Sequence, residues 1–342
     1  MANRTTANLL KAQAKLMAAF QTSELRFRYP ATYLAIKAMS PQFFSNLAEL
    51  RLREDRTVET NYNVRNKQAL GTGGRTHNHT GTKSDTAVLT PTWASYNRNF
   101  NMSLKQADNS LYDESEQMFS ELSNVVADFM EGYETQATSY LFNNRSGVNI
   151  ATAEGTFDAT DDVFEIAVAN EARAMQITKI AMDANKYGAG SVIFCDSISY
   201  AKFEYQAAQG AANQSNLSFQ FNGVTFIHSV ELGALGAGLV SAYAKGFWIV
   251  VPSGTVGIIP WIPKQNRVGV DNYPIATYSN IMNPIDGETY AFHSYSEAGN
   301  DTANNGYAQD VVTQYEVSQD ISFSKAPLSV AGETTIFAFA IV

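Results

Sequence analysis

The sequence predicts an α+β protein organised around one long helix. Three observations carry that reading. Residues 110–143 keep one helical period without a break. Residues 57–64 and 95–104 switch to a two-residue alternation of apolar and polar side chains. From residue 192 onward, short β-branched and aromatic runs recur between turn residues. With 342 residues, 45% of them hydrophobic and 12% aromatic, the chain is long enough for a sizeable core and for two domains.

The long helix is the organising element. Leu111, Met118, Leu122, Val125, Phe129, Tyr133, Ala137 and Tyr140 recur at steps of seven, four or three and share one helical face. Ser110, with Asp113 three residues on and Glu114 and Glu116 behind it, has the form of a capping box at the positive end of the helix dipole. A polar run closing on Gly147 stops it. At 1.5 Å per residue such a helix runs about 50 Å. A rod of that length with one narrow apolar stripe predicts a strut across a thin molecule.

Before it, Leu9, Leu10, Leu16, Met17 and Phe20 suggest a short amphipathic helix, broken by an extended run over 26–30 that ends in Pro30. A second helix is expected over 41–50, with Phe43, Phe44, Leu47 and Leu50 on one side. This segment has no core of its own and should lie along the rest of the molecule or along a neighbouring copy. The alternating runs then bracket a glycine-rich polar tip over 71–84, so residues 57–109 read as a long antiparallel ribbon projecting from the body. A two-stranded ribbon is marginal alone and should lean on another surface.

After the long helix, Phe164, Val168, Met175 and Met182 keep helical spacing over 161–186. Residues 192–195 read as a buried strand, 198–209 as a helix, and 219–227 as a hairpin turning at Asn222-Gly223. Residues 241–259 are strand-rich. The tail from 311 alternates again and closes on an apolar run over 336–342, so the C-terminus should end inside a sheet.

Charge is unevenly spread. Residues 1–56 hold nine Lys or Arg against four Asp or Glu, a net +5, leaving 15 basic and 29 acidic residues, a net −14, for the rest of the −9 chain. A basic arm could face a polyanion or an acidic partner. The single cysteine, Cys195, excludes an internal disulfide framework and fits a reducing compartment. With no eighteen-residue apolar run, and with Lys11 and Lys15 interrupting the first apolar segment, neither a membrane span nor a secretory signal is expected.

A basic arm, a projecting hairpin, a long strut helix and then an α+β region whose last strands return towards the strut form an order that resembles the major capsid protein of tailed bacteriophages, with the Hong Kong 97-type fold. The resemblance covers the whole chain and rests on element order, with no short diagnostic motif. It implies an N-terminal arm over 1–56, an E-loop over 57–109, a spine helix and the first part of a peripheral domain over 110–190, an axial domain over 191–303, and return strands of the peripheral domain over 304–342. It implies no enzymatic activity and no cofactor. Many copies would form hexamers and pentamers of an icosahedral shell, assembled in the bacterial cytoplasm and located in the virion, with double-stranded DNA inside and with scaffolding, portal and decoration proteins as further partners. Arg75, Lys83, Trp93 and Arg98 would then make inter-subunit contacts, and Arg51, Arg53 and Arg56 would face the DNA. The pre-ribbon segment is shorter than the scaffolding domain some members carry, which implies a separate scaffolding protein or none. Lys83 stands in the loop that supplies the lysine of the covalent cross-link in some members, but no matching asparagine or glutamate is found, so no cross-link is expected.

Sharper chemical readings lack support. Gly81-Thr82-Lys83-Ser84 breaks the order of a phosphate-binding loop because Thr82 intervenes and a strand follows. His77 and His79 have no third ligand nearby in sequence. His228 reads as a strand-end residue, with no Gly-x-Ser-x-Gly elbow anywhere in the chain. The pairs Asp113-Glu114 and Asp161-Asp162 are explained as helix-start residues. Trp93, Tyr96, Arg98 and Phe100 could stack bases but more simply form the ribbon face that packs on a neighbour. The alternatives to a capsid subunit are an encapsulin-like nanocompartment shell of the same fold and, from a different class, an α+β enzyme.

Overall fold

The computed structural model describes residues 2–22, 27–44, 46–54, 56, 60–63, 81, 83–84, 86–103, 114–147, 155–185, 187, 190–208, 218–221, 224–272, 276–301, 307–326 and 335–342. Helices α1 (Ala2–Gln21), α2 (Ala31–Phe43) and α3 (Leu47–Leu52) come first, followed by strands β1 (Thr60–Asn63), β2 (Thr86–Leu89) and β3 (Thr92–Ser103) and the long helix α4 (Glu114–Asn143). Next are β4 (Gly155–Asp158), β5 (Val163–Ile166), α5 (Ala174–Ala184), β6 (Ser191–Cys195), α6 (Ser197–Ala208), β7 (Ser218–Phe221), β8 (Val224–His228) and α7 (Val230–Leu239). The chain closes with β9 (Phe247–Pro252), β10 (Val256–Trp261), α8 (Lys264–Val268), β11 (Val270–Asn272), β12 (Ala276–Met282), β13 (Thr289–Asp301), β14 (Tyr307–Lys325) and β15 (Phe337–Ile341).

These strands divide between two large sheets. A mixed seven-stranded sheet has the order β4-β5-β15-β9-β6-β8-β7. Its central strands read as unbroken apolar runs because both faces are covered. In β9, Phe247, Ile249 and Val251 point to the side of α4 and α7, while Trp248 and Val250 point to the side of α5 and α6. In β15, Ala338 and Ala340 take the first side and Phe337, Phe339 and Ile341 the second. The C-terminus does end inside a sheet, parallel to β5 and antiparallel to β9.

The second sheet is antiparallel and is built on β14. At about 3.3 Å per residue its 19 residues extend about 60 Å. It pairs with β13 over its first part and β10 over its last, and with β3 on its other side. The sheets therefore draw on residues 155–252 with 337–341, and on 92–103 with 256–325. Limits at 190/191 and 303/304 cut across both, because the fully buried pattern of β15 can be satisfied only at a sheet centre.

Helix α4 spans about 45 Å with its 30 residues. Met118, Leu122, Val125, Phe129, Tyr133 and Ala137 are buried as the period predicts, while Tyr140 is half-buried and Leu111 lies outside the described residues, as does the capping box over 110–113. A second set, Val126, Met130, Glu134 and Thr138, is buried as well. The helix is therefore enclosed on more than one narrow stripe, with the arm packed on it as well as the sheet.

Other expectations change. The helix read over 41–50 is two helices, and Pro41 stands in the last turn of α2 rather than at a helix start. Residues 161–186 begin as a strand: Phe164 pairs with Phe339 in the sheet, and a 3-10 turn over Val168–Arg173 precedes α5. Asp161 and Asp162 form the turn between β4 and β5, with Asp162 at φ 53, a left-handed position that aspartate tolerates. Of the ribbon, the described residues show the pairing of 60–63 with 86–89. β1 pairs with β2, whereas β3 runs along β14. The tip over 71–80 and the turn at 222–223 lie outside the described residues, although β7 and β8 do form the expected antiparallel pair.

Candidate functional site: the joint between arm and body

The arm has no core of its own, and its helices dock where the body satisfies their ends. The first N–H groups of a helix lack intrahelical partners. At the start of α2, the Glu134 carboxylate of α4 accepts the N–H groups of Thr32 and Tyr33 at 2.9 and 3.1 Å. A carboxylate is the group the helix dipole favours there. Burial pushes the Glu134 carboxyl above its ordinary range, and these hydrogen bonds pull it partly back. At the far end of α3, Arg267 of α8 donates to the Arg53 and Arg51 carbonyls at 2.8 and 3.4 Å, and Trp261 Nε1 donates to the Arg53 carbonyl at 2.9 Å. The body thus supplies an anion at the start of the helix pair and a cation at its end.

Charge follows the same division. Lys15 pairs with Glu116, and Asn8 donates to Glu114. Arg28 reaches Glu231 at 2.8 Å, and Arg56 reaches Asp320 at 3.3 Å. Lys37 and Arg51 converge on Glu288, whose side chain is only 5% exposed. Two cations on one buried carboxylate offset its desolvation, so removing either leaves a poorly compensated charge. Beside it, Asp286 accepts the Tyr33 and Tyr290 hydroxyls at 3.0 and 2.9 Å, and burial pushes its carboxyl up. Lys264 of the body to Glu54 of the arm is a pair of the opposite sense.

An apolar plug completes the joint. Phe43 and Phe44 lie 4.4 Å apart, edge to face, against Gly257 of β10. A Cβ at Gly257 would fall 2.7 Å from Phe43 Cδ1 and 2.8 Å from Phe44 Cε2, so only glycine permits this approach. The Ile258 N–H donates to Ser40 Oγ at 2.8 Å. The arm therefore covers the outer edge of β10, which would otherwise present an unpaired strand.

The sequence-derived site residues meet different fates. Arg51 and Arg56 are bound in the joint, and Arg56 also donates to Ser95 Oγ at 3.0 Å and lies over the Trp261 ring. The Arg53 carbonyl is held by Trp261 and Arg267, but among the described residues its side chain meets only Glu49, at 3.9 Å. Trp93 Nε1 donates to the Arg56 carbonyl at 2.7 Å, and Arg98 pairs with Asp128 of α4 at 2.7 Å. The β3 face carrying Tyr96 and Phe100 packs within the chain, on Tyr133 and Tyr315, rather than standing open for a neighbour. Lys83 is exposed; Arg75, His77 and His79 lie outside the described residues. His228 closes β8 with Nε2 2.9 Å from Ser197 Oγ, and burial pushes its imidazole below the ordinary value. The neighbouring Asp196 carboxylate is occupied at the start of α6, accepting the Ser199 N–H at 2.6 Å. Among the described residues no group of three or more His, Cys, Asp or Glu is placed to hold a metal ion, and no helix is long and apolar enough to cross a membrane. Sequence reading missed Glu134, Glu288 and Arg267. The one available signal was Glu134, an acid at helical spacing from Val126 and Met130.

No protein-family model and no curated sequence matches the chain. Among solved structures it is similar to a chain of the cyanophage Pam1 capsid asymmetric unit, at 11% identity over 87% of each chain with a TM-score of 0.47. It is also similar to a capsid chain of an empty GTA particle, at 11% identity over 93% of this chain and 92% of that one, TM-score 0.47. A third is from the capsid of Ralstonia phage GP4, at 9% identity over 85% of this chain and 84% of that one, TM-score 0.45. All three are capsid structures.

Proposed function

We propose that this chain is the major capsid protein of a tailed double-stranded DNA bacteriophage, a structural subunit that closes with many copies of itself into the icosahedral head shell. The observation that carries this reading is the β1–β2 ribbon, which among the described residues is a two-stranded sheet separate from both large sheets. Such a ribbon is marginal alone, and symmetric repetition supplies the surface it needs. The arm strapped to a long helix and the 19-residue strand tying ribbon base to body support the same reading. In this reading residues 1–56 are the N-arm, 57–109 the E-loop, and α4 the spine helix. The seven-stranded sheet is the axial domain and the β14 sheet the peripheral one. Arg75 and Lys83 face neighbouring subunits, and Arg53 is the arginine of its group freest to meet DNA. Hexamers and pentamers assemble in the host cytoplasm with scaffolding, portal and decoration proteins as partners, and the finished shell belongs to the virion. Light scattering on the purified chain tests the reading: masses of rings or shells are expected, and a monomer that persists with a scaffolding partner would overturn it.

A further inference from the structure

Away from the joint, the seven-stranded sheet brings a hydroxyl and an imidazole together. Strands β6 and β8 run parallel, Cys195 lies opposite His228, and the helices α6 and α7 begin just beyond, at Ser197 and Val230. The carboxyl ends of parallel strands are where α/β sheets ordinarily build their chemistry. The turn at Asp196 leaves Ser197 exposed, and its Oγ lies 2.9 Å from Nε2 of the half-buried His228. The Tyr200 ring packs on the imidazole at 5.3 Å. Burial, the largest influence, holds that imidazole below its ordinary value; the Asp196 carboxylate acts against burial, and Arg28, itself paired with Glu231, acts with it. His228 is therefore an uncharged base near neutral pH. The N–H groups of a helix's first turn lack intrahelical partners. Asp196 takes that of Ser199 at 2.6 Å, and that of Ile198, the residue after the serine, stands in the same turn.

We propose that Ser197 is an activated nucleophile, with His228 as its base, and that it takes up the acyl group of an activated ester. With the imidazole proton on Nδ1, Nε2 accepts the Ser197 hydroxyl. Oγ then bonds to the carbonyl carbon of the ester while its proton passes to Nε2. The bond from that carbon to the alcohol oxygen breaks, and His228 returns the proton to the leaving oxygen. The products are an O-acyl serine and a free alcohol. The Asp196 charge favours the imidazolium formed on the way. An exposed hydroxyl needs no cavity to meet its donor, and a single acylation needs no turnover. Ser197 is thus a modification site on a structural subunit, and it stands apart from the capsid reading.

The test uses the purified full chain with p-nitrophenyl acetate as the acyl donor. After brief exposure, peptide mass spectrometry should find acetyl on Ser197 ahead of every other serine. His228→Gln should slow its appearance on the order of a hundredfold, and Ser197→Ala should remove it, with circular dichroism and thermal melting checking that both variants fold. The pH profile is read on the unmodified chain and so stands whatever the fold of the variants. The rate at Ser197 should rise with pH and level off as His228 loses its proton, with a midpoint below the ordinary 6.5. Acetyl confined to lysines, Ser197 labelled no faster than other exposed serines, an equal rate in a folded His228 variant, or a rate without that plateau would overturn the proposal.

Discussion

Glu134 shows how much one side chain can decide. It sits in a helix face that otherwise buries Val126 and Met130, and it is 2% exposed because it caps another helix. Glu134→Ala leaves the Thr32 and Tyr33 N–H groups buried without an acceptor, at a cost of about 1–3 kcal/mol, read as a lowered urea midpoint. Its pH dependence has a definite sign. A carboxyl whose value is raised in the folded state holds its proton more tightly there, so its contribution is complete below the ordinary value and lost as pH rises through the raised one. Burial raises Glu134 above 4.5, and Asp286 moves the same way. Arm docking should therefore tighten on mild acidification just above pH 4.5. Glu134→Gln removes the Glu134 share: after correction for intrinsic rates, amide exchange at Thr32 and Tyr33 should depend less on pH in the variant. Identical profiles would show that Glu134 does not titrate at the joint. Gly257→Ala is the steric counterpart. The new Cβ meets the Phe43 and Phe44 rings, and overpacking of this kind costs about 1–3 kcal/mol; protease cleavage within the arm should accelerate if the plug is displaced.

At the scale of elements, the arm and α4 stand or fall together. Tyr133 contacts Tyr33 of the arm, Tyr96 of β3 and Tyr290 of β13, and its hydroxyl meets Gln319 of β14. Tyr133→Ala should cost roughly 3–5 kcal/mol by analogy with other large aromatic deletions and should lower the thermal midpoint of the whole chain rather than of the arm alone. The long helix, the buried run of β6, α6 and the antiparallel pairing of β7 with β8 were all legible from periodicity and residue type. In the arm, the amphipathic helix around Leu9–Phe20 was legible as part of α1, but the bounds of α2 and α3 were not, because a carboxylate and an arginine from distant parts of the chain meet their ends. Phe164 misled for a related reason: strand and helix spacings coincide over a few residues, and its pairing partner, Phe339, is far away in sequence.

For the whole molecule, the contrast between a +5 arm and a −14 remainder was visible in the sequence, but its destination was not. Much of it is neutralised within the chain, Lys37 and Arg51 on Glu288 above all. The three arginines expected to face DNA therefore separate. Arg51→Ala should loosen the arm and lower stability, whereas Arg53→Ala, which loses only a 3.9 Å surface contact, should leave stability unchanged and reduce DNA retention in filled shells. Shells of the Arg53 variant that retain DNA normally would remove the arm from the DNA-facing surface. The central claim is that this chain builds a closed shell, and negative-stain electron microscopy of the purified full chain, alone and with a scaffolding partner, tests it most directly. Closed icosahedral particles or ring-shaped capsomers are predicted; compact single molecules under both conditions would contradict it.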